Sequence, residues 1–124
     1  MTGNEYQQLA MRTNDGLNTT RLTNAISNYH TITIAQLING VLGLTGEAGE
    51  VSNLVKKGIF HEKGIDLEHL KKELGDCAWY LAMICDACGF TLDDVMQTNI
   101  DKLKARYPKG FDTFRANNRA EGDI

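Results

Sequence analysis

Apolar residues recur every three or four positions along three long segments of the chain, and this spacing predicts amphipathic α-helices. The segments are residues 33–57, 66–88 and 91–106. Asp66 is suited to cap the start of the second helix, and Gly89 is suited to end it. Gly58 and Gly64 interrupt the apolar spacing, which places the end of the first helix at residue 57. Pro108 ends the third helix.

Weaker patterns flank the three long segments. Residues 5–12 and 22–29 are each expected to form a short helix, while 13–20 is rich in Asn, Gly and Thr and is expected to be a loop. The chain has one proline, and a β-rich fold of this length usually needs more turn-forming residues. The sequence therefore predicts one all-α domain over residues 1–115, built as a four-helix-type bundle. Residues 116–124 are predicted to be a polar, mobile tail.

Composition limits the partners and the location of the protein. The net charge is −3 and the isoelectric point is about 5.5, which argues against binding a nucleic acid polymer. No apolar run approaches the roughly 20 residues that span a bilayer, so no membrane partner is expected. The three cysteines are an odd number, and the N-terminal segment lacks a secretion signal. Both features indicate a reducing compartment, and a cytoplasmic location is expected.

Two pairs of acidic residues interrupt the helical pattern in the same way. Glu47 lies at the angle of the apolar stripe of the first long helix, with side chains placed about 100° apart. Glu73 has the same relation to the stripe of the second. Glu50 and Asp76, three residues later, are each offset by about 60° in the same direction. If these four carboxylates converge on one cleft, they repel one another strongly.

Such repulsion leaves two arrangements: the acids face solvent, or a multivalent cation binds between them. Acid pairs three residues apart are common on solvated helix faces, and either pair alone favours that interpretation. Two equivalent pairs favour the cation. Each pair also has a glycine before its second acid, Gly49 and Gly75, which suggests close approach of another backbone or a ligand. The third helix repeats the arrangement with Asn99 in the stripe and Lys102 in the offset position.

The donor types narrow the choice of metal. Ligands that are all oxygen suit Mg²⁺, with Mn²⁺ as a substitute, rather than a structural zinc. Di-iron carboxylate bundles also use helical carboxylates, but they need Glu-x-x-His motifs, and no Glu here has His three residues later. Mg²⁺ held by carboxylates is the usual partner of substrate phosphates.

At these residues the sequence resembles the MazG-like branch of the all-α nucleoside triphosphate pyrophosphohydrolase superfamily. That family is marked by E-x-x-E on one helix and E-x-x-D on the next, matched here by Glu47 with Glu50 and Glu73 with Asp76. The flanking residues 43–51 and 99–108 match as well, and the resemblance covers about residues 39–111. The acid motifs alone are loose, but their combination with the Asn, Lys and Arg-Tyr-Pro segment is fairly specific.

The resemblance implies Mg²⁺-dependent hydrolysis of a nucleoside triphosphate to the monophosphate and pyrophosphate. It implies that the four acids hold the metal and that Glu50, with Glu47, serves the catalytic step. A carboxylate that the metal does not fully use could take a proton from the attacking water, and Glu50 is the candidate, although the sequence leaves open which carboxylate serves as the base. The implied substrate-binding residues match the family's polar positions. They are Asn39, Asn99, Lys102, Arg106 and Tyr107.

Two local interpretations stay open beside the resemblance. Lys56, next to Lys57, belongs either to a solvated turn or to a group that attracts the substrate phosphates. Arg106 is also suited to interact with the C-terminal end of its helix. Two other functions stay open too: a non-catalytic nucleotide- or metal-sensing bundle, and a structural oligomerisation module. The four acids with Asn99 and Lys102 disfavour the structural module, but sensing and catalysis need the same ligands.

A second apolar face predicts assembly. Ile38 and Leu42 lie about 180° and 140° from Glu47 around the first long helix, and Trp79 also points away from the acids. A helix that is apolar on more than one face is normally buried on more than one face. A homodimer or homotetramer, which the resemblance also implies, would cover this face. The alternative is that 5–12 and 22–29 fold back over it.

Overall fold

The computed structural model describes residues 1–123, and this part of the chain is all-helical apart from an isolated β-bridge between Pro108 and Gly110. Its helices are, in order, α1 (Gly3–Met11), α2 (Asn18–Asn28), α3 (Ile34–Phe60), α4 (Leu67–Cys88), α5 (Leu92–Arg106) and α6 (Thr113–Asn117). The predicted all-α class is confirmed. The two short N-terminal helices and the three long ones all form where the sequence predicted helices.

The ends of α4 follow the capping residues of the sequence. The carboxylate of Asp66 accepts a hydrogen bond from the backbone N–H of His69, which satisfies a free amide of the first turn. At the other end Gly89 takes the left-handed conformation at φ 75°, and Phe90 N–H donates to the carbonyl of Cys85. Both predicted ends of this helix are confirmed.

Two other predicted boundaries are wrong, by four residues at the start of α2 and by three residues at the end of α3. Helix α2 begins at Asn18, so residues 18–20 are helical although a loop was predicted there. Helix α3 continues through Gly58 to Phe60. Gly58 is buried, and a Cβ at this position would lie 2.8 Å from the carbonyl oxygen of Gly64. The close contact with the following loop requires glycine here, and tertiary packing overrides its low helix propensity.

An antiparallel hairpin of α3 and α4 forms the packed centre of the fold. Glycines on α3 allow the two helices to approach closely. A Cβ at Gly40 would lie 2.8 Å from Cγ1 of Ile84, and a Cβ at Gly43 would overlap the ring of Tyr80. Near the same end, the Gln36 side chain donates to the Met83 carbonyl oxygen. These contacts fix the register of the hairpin, and so which residues of α3 face which residues of α4.

The remaining helices pack on this hairpin only lightly. Helix α2 touches α3 and α5 touches α4, both over small areas, and α1 makes no extensive contact with the rest of residues 1–123. Within this part of the chain the buried apolar side chains are Cys85 and Ala87. Leu42 is 68% exposed and Trp79 is 59% exposed. The N-terminal helices therefore leave Leu42 and Trp79 uncovered within one chain.

The predicted tail contains the end of α6 and an ion pair that joins Asp123 to Arg106. Its mobility and a domain boundary at residue 115 stay predictions, and Ile124 lies outside the described residues. None of the described helices has both the length and the apolar character needed to cross a membrane.

Candidate metal centre

Three of the four predicted acids meet between α3 and α4. Glu47 comes from α3, and Glu73 and Asp76 come from successive turns of one face of α4. One carboxylate oxygen from each lies within 4.8 Å of the others. Glu47 and Glu73 are half-buried, while Asp76 is exposed. The hairpin therefore brings three negative groups together at a partly shielded point with one open side.

This crowding shifts the titration of Glu47. Burial of its carboxyl group raises the pKa of Glu47 above the ordinary value, and repulsion from Asp76 and Glu73 raises it further. Each of these causes acts against the charged form. A cation bound among the three oxygens would reverse the electrostatic effect.

Glu50 lies apart from this close group. It is exposed on the next turn of α3, and its charge makes the smallest contribution to the raised pKa of Glu47. It lines an open pocket together with Glu73. The fourth acid is thus near the other three but has a different environment.

The donor set fits a hard divalent cation. The three close ligand atoms are carboxylate oxygens, and neither nitrogen nor sulfur is among them. Mg²⁺ takes one or two carboxylates and fills its other positions with water and phosphate oxygens, which needs an open side such as the one at Asp76. The repulsion among the three carboxylates, which contributes to the raised pKa of Glu47, would be relieved by the positive charge of such an ion.

Other charged and polar side chains, which the apolar pattern of the helices did not predict, lie next to the acids. His69 Nε2 lies 2.8 Å from Oε1 of Glu73 and so holds that carboxylate in place. The two residues are four positions apart on α4, a spacing that places them on one face and that could have predicted the contact. Lys57 and Lys63 line the same pocket as Glu50 and Glu73. Their meeting depends on a loop fold that the sequence pattern does not specify.

The glycines inside the two acid motifs have open surroundings. A Cβ at Gly49 or Gly75 would meet nothing within 4 Å in the described chain. The close approach of another part of this chain is therefore not found at these positions.

The predicted substrate residues of α3 differ in their placement. Asn39 is eight residues before Glu47, about 12 Å along the helix axis. Its side chain lies 3.7 Å from the sulfur of Met83, at the junction of α3 and α4. Lys56 is exposed and does not line the pocket that contains Lys57.

The predicted substrate residues of α5 lie on a helix that packs only lightly on α4. Asn99 is exposed. Lys102 and Arg106 line a cavity of about 480 Å³ formed with the tail. Arg106 binds Asp123 through two hydrogen bonds of 2.7 and 2.8 Å, and its guanidinium lies 5.9 Å from the centre of the Tyr107 ring. Arg106 therefore contacts the tail and lies close to the ring that follows it.

Comparison with known proteins supports the motif assignment. Residues 36–111 match the model of the MazG nucleotide pyrophosphohydrolase domain. The chain is also 37% identical over 82 residues to the Gene 37 protein of Mycobacterium phage L5, covering 63% of this chain and 72% of that protein. No solved structure matches the chain. Because the matched region spans α3, α4, α5 and the acidic cluster, the chain belongs to the MazG nucleotide pyrophosphohydrolase domain family.

Proposed function

We propose that the protein hydrolyses nucleoside or deoxynucleoside triphosphates to the nucleoside monophosphate and pyrophosphate, with Mg²⁺ as its cofactor. The observation that carries this proposal is the convergence of Glu47, Glu73 and Asp76 within 4.8 Å, inside the region that matches the family. Without a cation the three carboxylates only repel one another. They suit a divalent cation that also binds the phosphates of a substrate.

The acids of the chain divide into two roles in this proposal. Glu47, Glu73 and Asp76 would hold the cation, and Glu50, on the next turn of α3, would be a further ligand. A bound divalent cation supplies Lewis acidity and neutralises phosphate charge. Glu50 is free of the close group and accepts the proton of the attacking water. The water oxygen bonds to the α-phosphorus while the bond from that phosphorus to the bridging oxygen breaks, and pyrophosphate leaves.

Substrate binding extends beyond the acids. Asn39 lies along the α3–α4 junction, and Lys56 is available near the end of α3. Helix α5 supplies Asn99, Lys102 and Arg106, and Tyr107 follows its last residue. This helix packs only lightly on the rest of the described chain. In our proposal a homodimer or homotetramer brings α5 against an acidic cluster and completes the site.

The reaction is tested by incubating the purified protein with Mg²⁺ and a panel of NTPs and dNTPs. Equal amounts of pyrophosphate and nucleoside monophosphate are expected, and chelation by EDTA should abolish both. Release of orthophosphate with a nucleoside diphosphate would refute the proposed bond cleavage. Binding of nucleotide without any product would instead support the sensing bundle.

A further inference from the structure

The loop between α3 and α4 is held in one place by the end of α3. Gly64 N–H donates to the carbonyl oxygen of Gly58 at 3.0 Å, and the missing side chain of Gly58 leaves room for the backbone of Gly64 and the side chain of Ile65. Two residues of the loop have positive φ, Glu62 at 56° and Gly64 at 76°. A non-glycine residue in this region costs free energy, so the loop geometry is maintained by its surroundings.

This loop geometry brings Lys63 to the same pocket as Lys57. Lys57 is in the last turn of α3, and Lys63 precedes the glycine that closes the loop. The pocket has a volume of about 370 Å³, and Glu50 and Glu73 also line it. Asp66 lines it as well, so the pocket combines three carboxylates with two ammonium groups, and one of the carboxylates, Glu73, belongs to the close acidic cluster.

The charges of this pocket match a polyphosphate with a bound cation. Carboxylates attract the cation, whereas they repel the phosphates that the cation does not neutralise. Ammonium groups suit those phosphates as mobile point charges. The described lining contains neither Phe, Tyr nor Trp, and much of it is polar or charged. A base finds no aromatic ring to stack on there, and the two ammonium groups favour the phosphate end of the substrate as the occupant.

We propose that this pocket binds the two terminal phosphates of the substrate, with Lys57 and Lys63 as the phosphate ligands. The inference rests on the proposed pyrophosphohydrolase function, and it gives the departing pyrophosphate a defined location. The bond to be broken then lies toward the acidic cluster, and the nucleoside extends away from the loop. Binding depends on both lysines because each neutralises part of the charge of the pyrophosphate group.

The test compares Lys57→Ala, Lys63→Ala and the double variant with Lys71→Ala. Lys71 is on α4 about 160° from Glu73, so it is a control for loss of one positive charge from the surface. Titration calorimetry with inorganic pyrophosphate and Mg²⁺ measures the binding step without turnover. Each single substitution in the pocket should weaken pyrophosphate binding about tenfold, as expected for a lost charge-assisted contact, and Lys71→Ala should leave it near wild type.

Kinetics with a nucleoside triphosphate provide the second measurement. The pocket variants should raise KM about tenfold, and Lys57→Arg should recover part of the loss because it keeps the charge. Wild-type protein that fails to bind pyrophosphate with Mg²⁺, or a double variant that binds it as tightly as wild type, overturns the inference. Failure of the proposed function has a different result. The wild-type protein would then not hydrolyse nucleotides, although its binding of pyrophosphate would still depend on the two lysines.

Discussion

At the scale of single residues, Glu47 is the acid whose environment is least favourable to its charge. Burial and the neighbouring Asp76 and Glu73 all raise its pKa, so the metal-free folded protein holds a proton there more tightly than the unfolded chain does. The contribution of Glu47 to the free energy of unfolding is therefore present at low pH and is lost as the pH rises through the raised pKa. At neutral pH the folded protein carries a repulsion that a ligand can relieve.

Glu47→Gln is expected to abolish turnover and to raise the melting temperature of the metal-free protein at neutral pH. The amide keeps the shape of the side chain but removes the repelled charge, and with it one ligand of the cation. The wild-type melting temperature should fall between mildly acidic and neutral pH, and the variant should lose much of that dependence. Glu68→Gln changes an exposed acid of α4 outside the cluster and is the matched control. Wild-type activity in Glu47→Gln would refute the assignment of this residue.

Mg²⁺ itself should stabilise the wild-type protein. A ligand that binds only the folded state adds about 2.7 kcal/mol when its concentration is one hundred times its Kd. Melting curves with and without millimolar Mg²⁺ or Mn²⁺ measure this effect, and Glu47→Gln should show a smaller shift. A melting temperature that does not respond to either ion, with or without nucleotide, would count against the metal centre.

The residue scale also shows what a helical pattern can and cannot predict about a site. Placing side chains around each helix put Glu47 and Glu73 on the apolar stripes of α3 and α4, which agrees with their meeting where the two helices pack side by side. The pattern gave no reason to separate Glu50 from the other acids. The separation depends on the rotation of each helix about its own axis relative to the helix beside it. Lys63 could not be predicted to reach the pocket, because a loop with two positive φ angles places it there.

At the scale of elements, the α3–α4 contact depends on small residues at particular positions. Gly43→Ala is expected to destabilise the protein by about 1–3 kcal/mol, because the added methyl group would overlap the Tyr80 ring and force it to move. Gly46→Ala is the matched control on the same helix, since a Cβ there meets nothing within 4 Å. It should be neutral or stabilising by up to about 1 kcal/mol through higher helix propensity. Urea denaturation compares the two, and equal effects would contradict this packing.

The boundaries of the elements were predicted best where a local cap defines them. Asp66 and Gly89 act through hydrogen bonds and dihedral angles within a few residues, so the sequence contains the whole cause. The end of α3 was predicted three residues early because Gly58 is a poor helix former on its own. Its place inside the helix follows from contact with Gly64 and Ile65, and local propensity contains no information about that contact.

Among residues 1–123, an ion pair between Arg106 and Asp123 links the tail to α5, and this pair responds to pH. Arg106 is 10% exposed and Asp123 is 17% exposed, and the guanidinium lowers the pKa of the Asp123 carboxyl below its ordinary value. The pair is therefore fully formed above about pH 4 and is lost as the pH falls through the lowered pKa. Asp123→Asn should release the tail at neutral pH, and trypsin should then cleave after Arg119 faster than in wild type. Equal cleavage rates for the two proteins would show that the pair does not hold the tail.

At the scale of the whole molecule, one chain exposes more surface than a folded monomer of its size. Its accessible surface is 10059 Å², whereas a typical monomer of 13.8 kDa has about 6,600 Å². The excess, about half of the typical value, is of the size that obligate interfaces bury. Several large apolar side chains contribute to it, including Leu42 and Trp79. A second copy of the chain is an occupant that could cover them in a closed, symmetric way.

We therefore expect the protein to be a dimer, or a tetramer of dimers, whose assembly is required for activity. Light scattering at low micromolar concentration should give a mass of at least twice 13.8 kDa. Leu42→Lys places a charge on a side chain that is 68% exposed in one chain, and it should shift the mass toward the monomer only if that side chain is buried between subunits. Leu42→Met keeps the apolar volume and should keep the assembly. Nucleotide hydrolysis should fall with the fraction of assembled protein, because α5 has too little packing in one chain to hold Asn99 and Lys102 at an acidic cluster. A monomer of 13.8 kDa that hydrolyses nucleotides at the full rate would refute this assembly.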